Sequence, residues 1–561
     1  MKNRQDEPQD ADTPKSMKTP ATVSRRSFIA RAALGAGAIA FGQPGLPASY
    51  GGLNLSPTAQ SYSSPNILLI LVDQWRYPVP VSPFTAIDMY DHYLPNVAKF
   101  RQQSVNFTNY FPAATACSPS RGTLLTGLYS HQTAVLNTQI SDRVPNLNPG
   151  FPTWGTLLRQ QNYETYWYGK WHLSNKDADS DDVNSLEQYG FAGGTFPSPN
   201  GSPGQGLQDD PNILEQFKQW LAQQRATPWC TAISLINPHD IWCYPKGTQP
   251  FYPNPPQVFT GLPQNFETPQ QLARKPELQT VFRDTQMLKT GATPFSGPRF
   301  PEDFLNLLNT YLVCQQTVDA PIGDVLSTLA DSPFSNNTIV IFTSDHGEYG
   351  GAHGLHDKSS AIYEETIHVP FYVRDLGNRG ALSERPQLFS SVDFPGFLLT
   401  LATGNNNWRA QYPWLAGRAQ FGEALWDPSV PGRPYILHTT DEPWASEVDT
   451  PPYDGFVPQH VIGYRTVNAK LGLYSFWEEG TIDIEPARYQ LEYYDYSTSG
   501  GRLETDSTPI SSAAMNAYNV LVGQIIPSEL RQPLPTGLQS VQQQAIQDYT
   551  NYITHLREFT S

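Results

Sequence analysis

A cysteine followed four residues later by an arginine opens the stretch of this chain richest in potential chemistry, Cys117-Ser118-Pro119-Ser120-Arg121-Gly122-Thr123-Leu124-Leu125-Thr126-Gly127. Pro119 suits the first turn of a helix, because its missing N–H would be unpaired there anyway. A helix beginning at that proline places Arg121 about one turn from Cys117. Its free N-terminal N–H groups then point at an anionic substrate. The structural alternative is a buried free cysteine in a loop-to-helix turn. Other polar groups of interest sit where apolar runs end. Asp73 and Gln74 follow Asn66–Val72, His239 follows Thr231–Ile236 by way of Asn237-Pro238, and Asp345-His346-Gly347 follows Thr338–Phe342. Lys170 and His172 come just after Glu164–Tyr168, and Lys358 closes Gly354-Leu355-His356-Asp357-Lys358.

Continuous apolar runs of this kind read as strands covered on both faces. Between them the pattern predicts helices over Pro95–Ser104, 153–161, from Asp210-Pro211 through Gln223, over Pro301–Leu329 and over Val392–Leu401, with a further strand at Val369–Val373. Alternating strands and amphipathic helices imply an α/β fold, a large and mostly parallel sheet sandwiched by helices. In open sheets of this type, chemistry gathers at the C-terminal ends of strands, where three of these groups fall. Residues 244–300 are Pro-rich with little periodicity and read as an insertion at the substrate mouth. After about residue 430, four strand patterns (Tyr435–Thr439, Val461–Thr466, Gly472–Trp477, Leu491–Tyr496) run without intervening helices, and a last helix spans Ser540–Arg557. These patterns divide the chain into a catalytic domain over 62–430 and a small antiparallel α+β subdomain over 431–561.

The net charge of −16 argues against a nucleic-acid partner, but a local basic pocket can still take an anionic substrate. No apolar run reaches the ~20 residues of a membrane span. Four cysteines are too few for a disulfide scaffold. If Cys117 is set aside, Cys230 and Cys243 are the expected pair, ahead of Cys314. No Cys/His spacing reads as a zinc site. Residues 1–48 read as an address label. A polar stretch precedes Ser24-Arg25-Arg26-Ser27-Phe28-Ile29-Ala30-Arg31, which resembles a twin-arginine export signal, and the Ala/Gly-rich Ala32–Phe41 follows. Cleavage after Ala40 or Ala48 would release a periplasmic or secreted protein, exported folded.

The eleven-residue stretch resembles the signature of the type I sulfatases, in the alkaline phosphatase superfamily, through Cys-x-Pro-Ser-Arg and the later Leu125-Thr126-Gly127. Gly169-Lys170-Trp171-His172 resembles a second family segment, and Pro238-His239 and Asp345-His346-Gly347 two more. The resemblance covers about residues 65–400. It implies that a maturation enzyme converts Cys117 to formylglycine. A thiol attacks a sulfate ester poorly, whereas a hydrated aldehyde offers two hydroxyls on one carbon. It also implies one divalent cation held by Asp73, Gln74, residue 117, Asp345 and His346. Mostly oxygen ligands favour Ca²⁺, with Mg²⁺ or Mn²⁺ as alternatives. Arg121 and Lys358 would offset charge on the sulfuryl oxygens, with Lys170 beside them. Asp345 would take a proton from the attacking hydroxyl, His172 from the second one, and His239 or Lys358 would protonate the leaving alcohol. Gln74 departs from the commoner Asp-Asp pair and resembles the choline-sulfatase and phosphonate-monoester-hydrolase branch. The implied activity is hydrolysis of an aryl, choline or sugar sulfate. The alternatives are a phosphonate or phosphate mono- or diesterase, or a non-catalytic metal- or carbohydrate-binding protein. Trp75, Tyr77, Trp167, Trp242 and Tyr244 are candidates for the mouth, and His131 and Asn137 for the pocket lining.

Overall fold

The chain is described from a computed structural model over residues 64–139, 143–174, 186–225, 228–291, 301–375, 382–441, 457–478 and 481–560. The proposed export signal lies outside them. Strand β1 (Asn66–Asp73) is buried along its whole length. Its alternate residues explain why: Ile67, Leu69 and Leu71 enter one apolar layer, and Leu68, Ile70 and Val72 enter the other. A period of two with both faces apolar is the pattern of a central strand.

Around it, β2 (Val105–Phe107), β3 (Glu164–Gly169), β4 (Trp229–Pro238), β5 (Thr338–Ser344), β6 (Phe371–Asp375) and β7 (Glu384–Arg385) form a seven-stranded sheet in the order β3-β4-β1-β5-β6-β2-β7. Strands β3, β4, β1 and β5 run parallel, and β6 is antiparallel to β5. Helices α1 (Pro95–Gln102), α2 (Cys117–Thr126), α3 (Gln205–Leu221), α4 (Glu277–Thr290), α5 (Glu302–Ala330) and α6 (Phe394–Thr403) follow in chain order. Residues of α2 and α6 join the first apolar layer, and those of α1, α3 and α5 the second. The expected helix-covered, mostly parallel sheet is therefore present. So is the small antiparallel sheet, built from β8 (Ile436–Thr440), β9 (His460–Arg465), β10 (Ala469–Trp477) and β11 (Ile484–Asp495) in sequential order, with a last helix α7 (Thr536–Thr560). Among the described residues, no helix is long and apolar enough to cross a membrane.

Two expectations fail for physical reasons. Asp210 does not cap a helix start, because α3 already begins at Gln205 and carries Pro211 inside it. The buried Asp210 carboxylate instead accepts the backbone N–H groups of Ile236 and Asn237, and so holds the end of β4. The Pro-rich stretch after β4 carries α4, whose Gln279 donates to Tyr474 and Glu492 of the small sheet. None of the four cysteines forms a disulfide. Cys230 enters β4 and Cys243 lies beyond its far end. At ~3.3 Å per residue, the strand between them is several times too long for a disulfide.

A buried polar cluster joins the loop after β5 to the small sheet. His353 stacks on Tyr363 and pairs through Nδ1 with Glu267 at 2.6 Å, while Nε2 faces Glu365 at 3.7 Å. Lys470 bridges Glu364 and Glu504 nearby. Burial and Lys275 oppose a charge on His353, but the hydrogen bonds its ring donates to Glu267 and Glu365 outweigh them and raise its pKa. The imidazolium therefore stabilises the fold fully below the unfolded histidine value of ~6.5. That contribution declines as pH rises from there through the raised folded value. Unfolding free energies measured from pH 6 upward should fall with a slope of at most ~1.4 kcal/mol per pH unit from this group. His353→Asn should flatten that part of the profile.

Candidate active site

The signature stretch folds as α2, with every residue buried. Ala116, just before it, is held at φ 70, and Gln74, His172 and Asp357 also sit in the left-handed region at φ 70, 60 and 71. Such positions cost energy for non-glycine residues and gather where a site over-determines the backbone. Here all four lie within or beside one constellation.

Arg121 is its scaffold. Its guanidinium donates through Nε to Asp345 Oδ2 at 2.9 Å and through Nη2 to Asp73 Oδ2 at 3.1 Å. Nη1 reaches the Lys170 carbonyl at 2.7 Å and Ser234 Oγ at 2.9 Å. Lys170 Nζ meets Asp73 Oδ2 at 2.7 Å and Cys117 Sγ at 3.6 Å. Each aspartate thus gives Oδ2 to cations. Oδ1 of Asp73 is left facing His346 Nε2 at 3.5 Å and Cys117 Sγ at 3.8 Å. Asp345 Oδ1 lies 3.8 Å from the same nitrogen. Four of the five N–H groups of Arg121 are engaged in this way, so the guanidinium is held rigidly beside residue 117.

On the opposite side, Lys358 Nζ lies 2.7 Å from Gln74 Oε1 and 3.1 Å from His239 Nε2. The Gln74 amide donates to Glu348 at 2.5 Å and to Asp357 at 3.2 Å. These two carboxylates were not anticipated, since neither lies at a strand end. Burial, then Asp357, pushes the Glu348 carboxyl up to about 7. Gly201 was also missed. With φ +91, it lets the backbone pass so close that a Cβ would sit 2.5 Å from the His239 ring and 2.8 Å from Lys170 Nζ.

Burial, then Asp73, pushes the Cys117 thiol up to about 12, so the unmodified group stays protonated and unreactive. His172 and His239 are held well below the ordinary histidine range by burial, then by Lys170, with Arg121 adding to the first and Lys358 to the second. Both rings are neutral. His172 can therefore accept a proton, and Lys358, hydrogen-bonded to His239, is the cation on that side. For Asp73, burial opposes ionisation, but the Lys170 ammonium and then the Arg121 guanidinium hold its carboxyl well below the usual carboxylate range.

The ligand atoms of Asp73, Cys117, Asp345 and His346 all lie within 4.8 Å of one another, and all four residues are buried. His346 Nδ1 is 3.1 Å from the Gly347 carbonyl, which orients Nε2 inward as an acceptor. Two inward carboxylate oxygens and one imidazole suit a divalent cation such as Ca²⁺, Mg²⁺ or Mn²⁺. Gln74 reaches the same place, but its carbonyl is engaged by Lys358. Of the suspected mouth aromatics, Trp75 and Trp167 are core residues, and Tyr77 stacks on His368. Trp242 lies beside His239, with ring centroids 6.2 Å apart. Tyr244 lines a separate cleft with Met287, Phe304 and His356.

A strongly polar cluster at the C-terminal ends of β1, β4 and β5, under a cysteine-headed helix, defines a hydrolase-like α/β site. The sequence profile described as "Sulfatase" matches residues 65–404, and the chain belongs to the sulfatase family. Arylsulfatase K of Gallus gallus is 26% identical over 355 residues, 61% of this chain and 63% of that protein. Human iduronate 2-sulfatase is 28% identical over 365 residues, 58% of this chain and 63% of that protein. The chain thus spans less than two-thirds of the length of the arylsulfatase K relatives it matches. Among solved structures, the phosphonate monoester hydrolase of Silicibacter pomeroyi superposes with a TM-score of 0.62 at 19% identity, covering 84% of this chain and 96% of that one. The protein BT4656, solved with D-glucosamine-2-N,6-O-disulfate, has a TM-score of 0.56 at 18% identity, covering 87% and 99%. These likenesses show a shared fold.

Proposed function

We propose that the protein hydrolyses sulfate monoesters to an alcohol and sulfate, using formylglycine at position 117 and one divalent cation. The observation that carries this reading is the geometry at Cys117. Its thiol is inert as it stands, yet Lys170, His346 and Asp73 surround it within 3.8 Å. Such surroundings serve a residue that is converted into something else. A formylglycine hydrate supplies two hydroxyls on one carbon, one to attack sulfur and one whose return to the aldehyde expels sulfate without an attacking water. A divalent cation held by Asp73, Asp345 and His346, with residue 117 and Gln74 beside them, supplies Lewis-acid polarisation of a sulfuryl oxygen.

The chain's own side chains do the rest. Arg121 orients the two aspartates. Lys170 places positive charge beside residue 117, where charge grows during transfer. Asp345 accepts the proton of the attacking hydroxyl. Lys358 stands ready to protonate the departing alcohol, with His239 fixing its direction. The neutral His172 takes the proton that accompanies sulfate release. A sulfated sugar is one substrate class, in keeping with the ligand of BT4656 and the names of the curated relatives. A formylglycine-generating enzyme and the twin-arginine exporter are the partners this reading requires, and it places the mature protein in the periplasm or outside the cell. Lysines at Arg25 and Arg26 should retain it in the cytoplasm, read by fractionation.

Peptide mass spectrometry across residue 117, on protein from its own organism, tests the reading. An aldehyde mass in place of cysteine is expected, and unmodified cysteine throughout would sink it. Specificity constants for an aryl sulfate and an aryl phosphodiester separate the sulfatase from a phosphorus esterase, the option that the neutral Gln74 keeps in play.

Metal removal gives a further expected result. Chelation should abolish turnover and lower thermal stability. Restoring the cation to about 100 times its Kd should return about 2.7 kcal/mol of stability. Elemental analysis of the purified protein identifies the ion.

A further inference from the structure

We propose that His131, Asn137, Asp441, His460, Ser475 and Trp477 form a subsite for a neutral, hydroxyl-bearing ring, so that the alcohol part of the substrate is a neutral sugar. This rests on the sulfate-ester reading above.

The antiparallel register puts several of these groups on one face of the small sheet. Thr440 pairs with Val461 and His460 with Ser475, so Asp441, just after β8, shares a face with His460 and Ser475. Trp477, two residues on, lies against the His460 ring. The segment after α2 meets that face. The His131 ring stands edge-on to Trp477 with centroids 5.2 Å apart, and Asn137 Nδ2 approaches the Asp441 carbonyl at 3.5 Å. The same segment reaches the reacting residues. The N–H of Gln139 bonds Ser118 Oγ, and that hydroxyl bonds the His172 carbonyl. From the other side, the Thr439 N–H bonds the Ala113 carbonyl, just ahead of the Cys117 helix.

What marks this face as a binding surface is its polar atoms. Both ring nitrogens of His131, Asn137 Oδ1, Ser475 Oγ and Trp477 Nε1 are buried without a hydrogen-bond partner among the described residues. His131 and Asn137 are each only 7% exposed and Ser475 is 0% exposed. Buried polar groups in folded proteins nearly always have partners, so a group of this size calls for one. Their chemistry narrows the choice. Burial, then Arg531, pushes the His131 ring down to about 3, so it is neutral and offers one donor and one acceptor. Asn137 adds an acceptor, Ser475 both, and the indole a donor and an apolar face. A ring carrying hydroxyls, each both donor and acceptor, complements that set. Charge excludes other rings. Burial pushes the Asp441 carboxyl well above the usual carboxylate range, His460 is its partner at 2.5 Å, and Arg531 is paired with Asp483. Among the described residues, neither a carboxylate nor a second sulfate finds an unpaired cation on this face. A single indole beside a neutralised carboxylate is no cage for a quaternary ammonium.

The test is kinetic and direct. With the active enzyme, kcat/KM is measured on 4-nitrophenyl sulfate, choline sulfate and monosulfated glucose and galactose. The sugar sulfates should exceed choline sulfate at least tenfold. Asn137→Ala and Trp477→Ala should each lower the sugar-to-aryl ratio of kcat/KM at least tenfold, chiefly through KM. Trp477→Phe, which keeps a ring but loses the donor, covers the case in which alanine fails to fold, and should lower the ratio about threefold. Calorimetric titration of the Cys117→Ala protein with the same sugar sulfates should show the same weakening in Kd. Aryl sulfate turnover with an unchanged ratio would overturn the subsite and leave the sulfatase reading standing. Absent turnover with Trp477-dependent sugar binding would sustain the subsite and sink the sulfatase reading. Absent turnover and absent sugar binding, the result for a face filled by water only, would overturn both.

Discussion

Alanine at position 117 is expected to lower kcat/KM for a sulfate ester by about 10⁴-fold or more, while the fold survives. The size follows from removing the group proposed to attack: loss of a nucleophile leaves whatever the binding and electrostatic groups supply alone. The survival follows from what the side chain touches. Sγ lies 3.3 Å from His346 Nε2 and farther from Lys170 and Asp73. Its loss breaks no backbone bond. Truncation of one small atom in a buried, polar setting should cost about 1 kcal/mol. Turnover of aryl sulfate and urea unfolding on the same preparation check both halves. Activity within tenfold of the unsubstituted enzyme would rule out residue 117 as the attacking group.

Arg121→Met should show the largest stability effect of any site substitution, about 3–5 kcal/mol, because it strips the shared partner from two buried carboxylates. Arg121, Asp73 and Asp345 side chains are each 0% exposed, so water cannot take over the charge. Lysine should not rescue it. One ammonium cannot span Asp73 and Asp345 while also bonding the Lys170 carbonyl and Ser234, as the planar fork does. A saturating divalent cation should recover part of the loss in Arg121→Met by placing positive charge between the same carboxylates. Denaturant midpoints with chelator and with excess Ca²⁺ make the comparison. Equal stability of variant and unsubstituted protein in chelator would mean that the arginine is not the scaffold described above.

These expectations draw on different sources. The cysteine, the lysines and the strand-end pairs were legible because each is a local feature: an apolar run ends, and a polar dipeptide follows. Asp73 and Asp345 end neighbouring parallel strands, so adjacency in the sheet brings them together. Their oxygen assignment was not legible. That Oδ2 faces Arg121 and Oδ1 faces His346 depends on where an arginine on a helix above the sheet arrives. Glu348, Asp357 and Gly201 escaped because they sit in loops, where no periodicity marks a position and only proximity to Gln74 or His239 gives it meaning. The mistaken disulfide and the mistaken helix start share one cause. Cys230–Cys243 and Asp210-Pro211 were judged by their neighbours in the chain, whereas their partners in space belong to other elements.

The local order of residues was enough for the fold class, because a strand apolar on both faces can only lie between two helical layers. It was enough to single out Cys117 as the candidate for attack as well, because a long ungapped motif constrains many positions at once. Tertiary structure alone settled three things: which cations spend their charge on which carboxylates, that buried His172 and His239 are neutral, and that the segment after the signature helix meets one polar face of the small sheet. Each depends on distances between residues far apart in the chain. At those distances burial and Coulomb interactions, not sequence spacing, set protonation and hydrogen bonding.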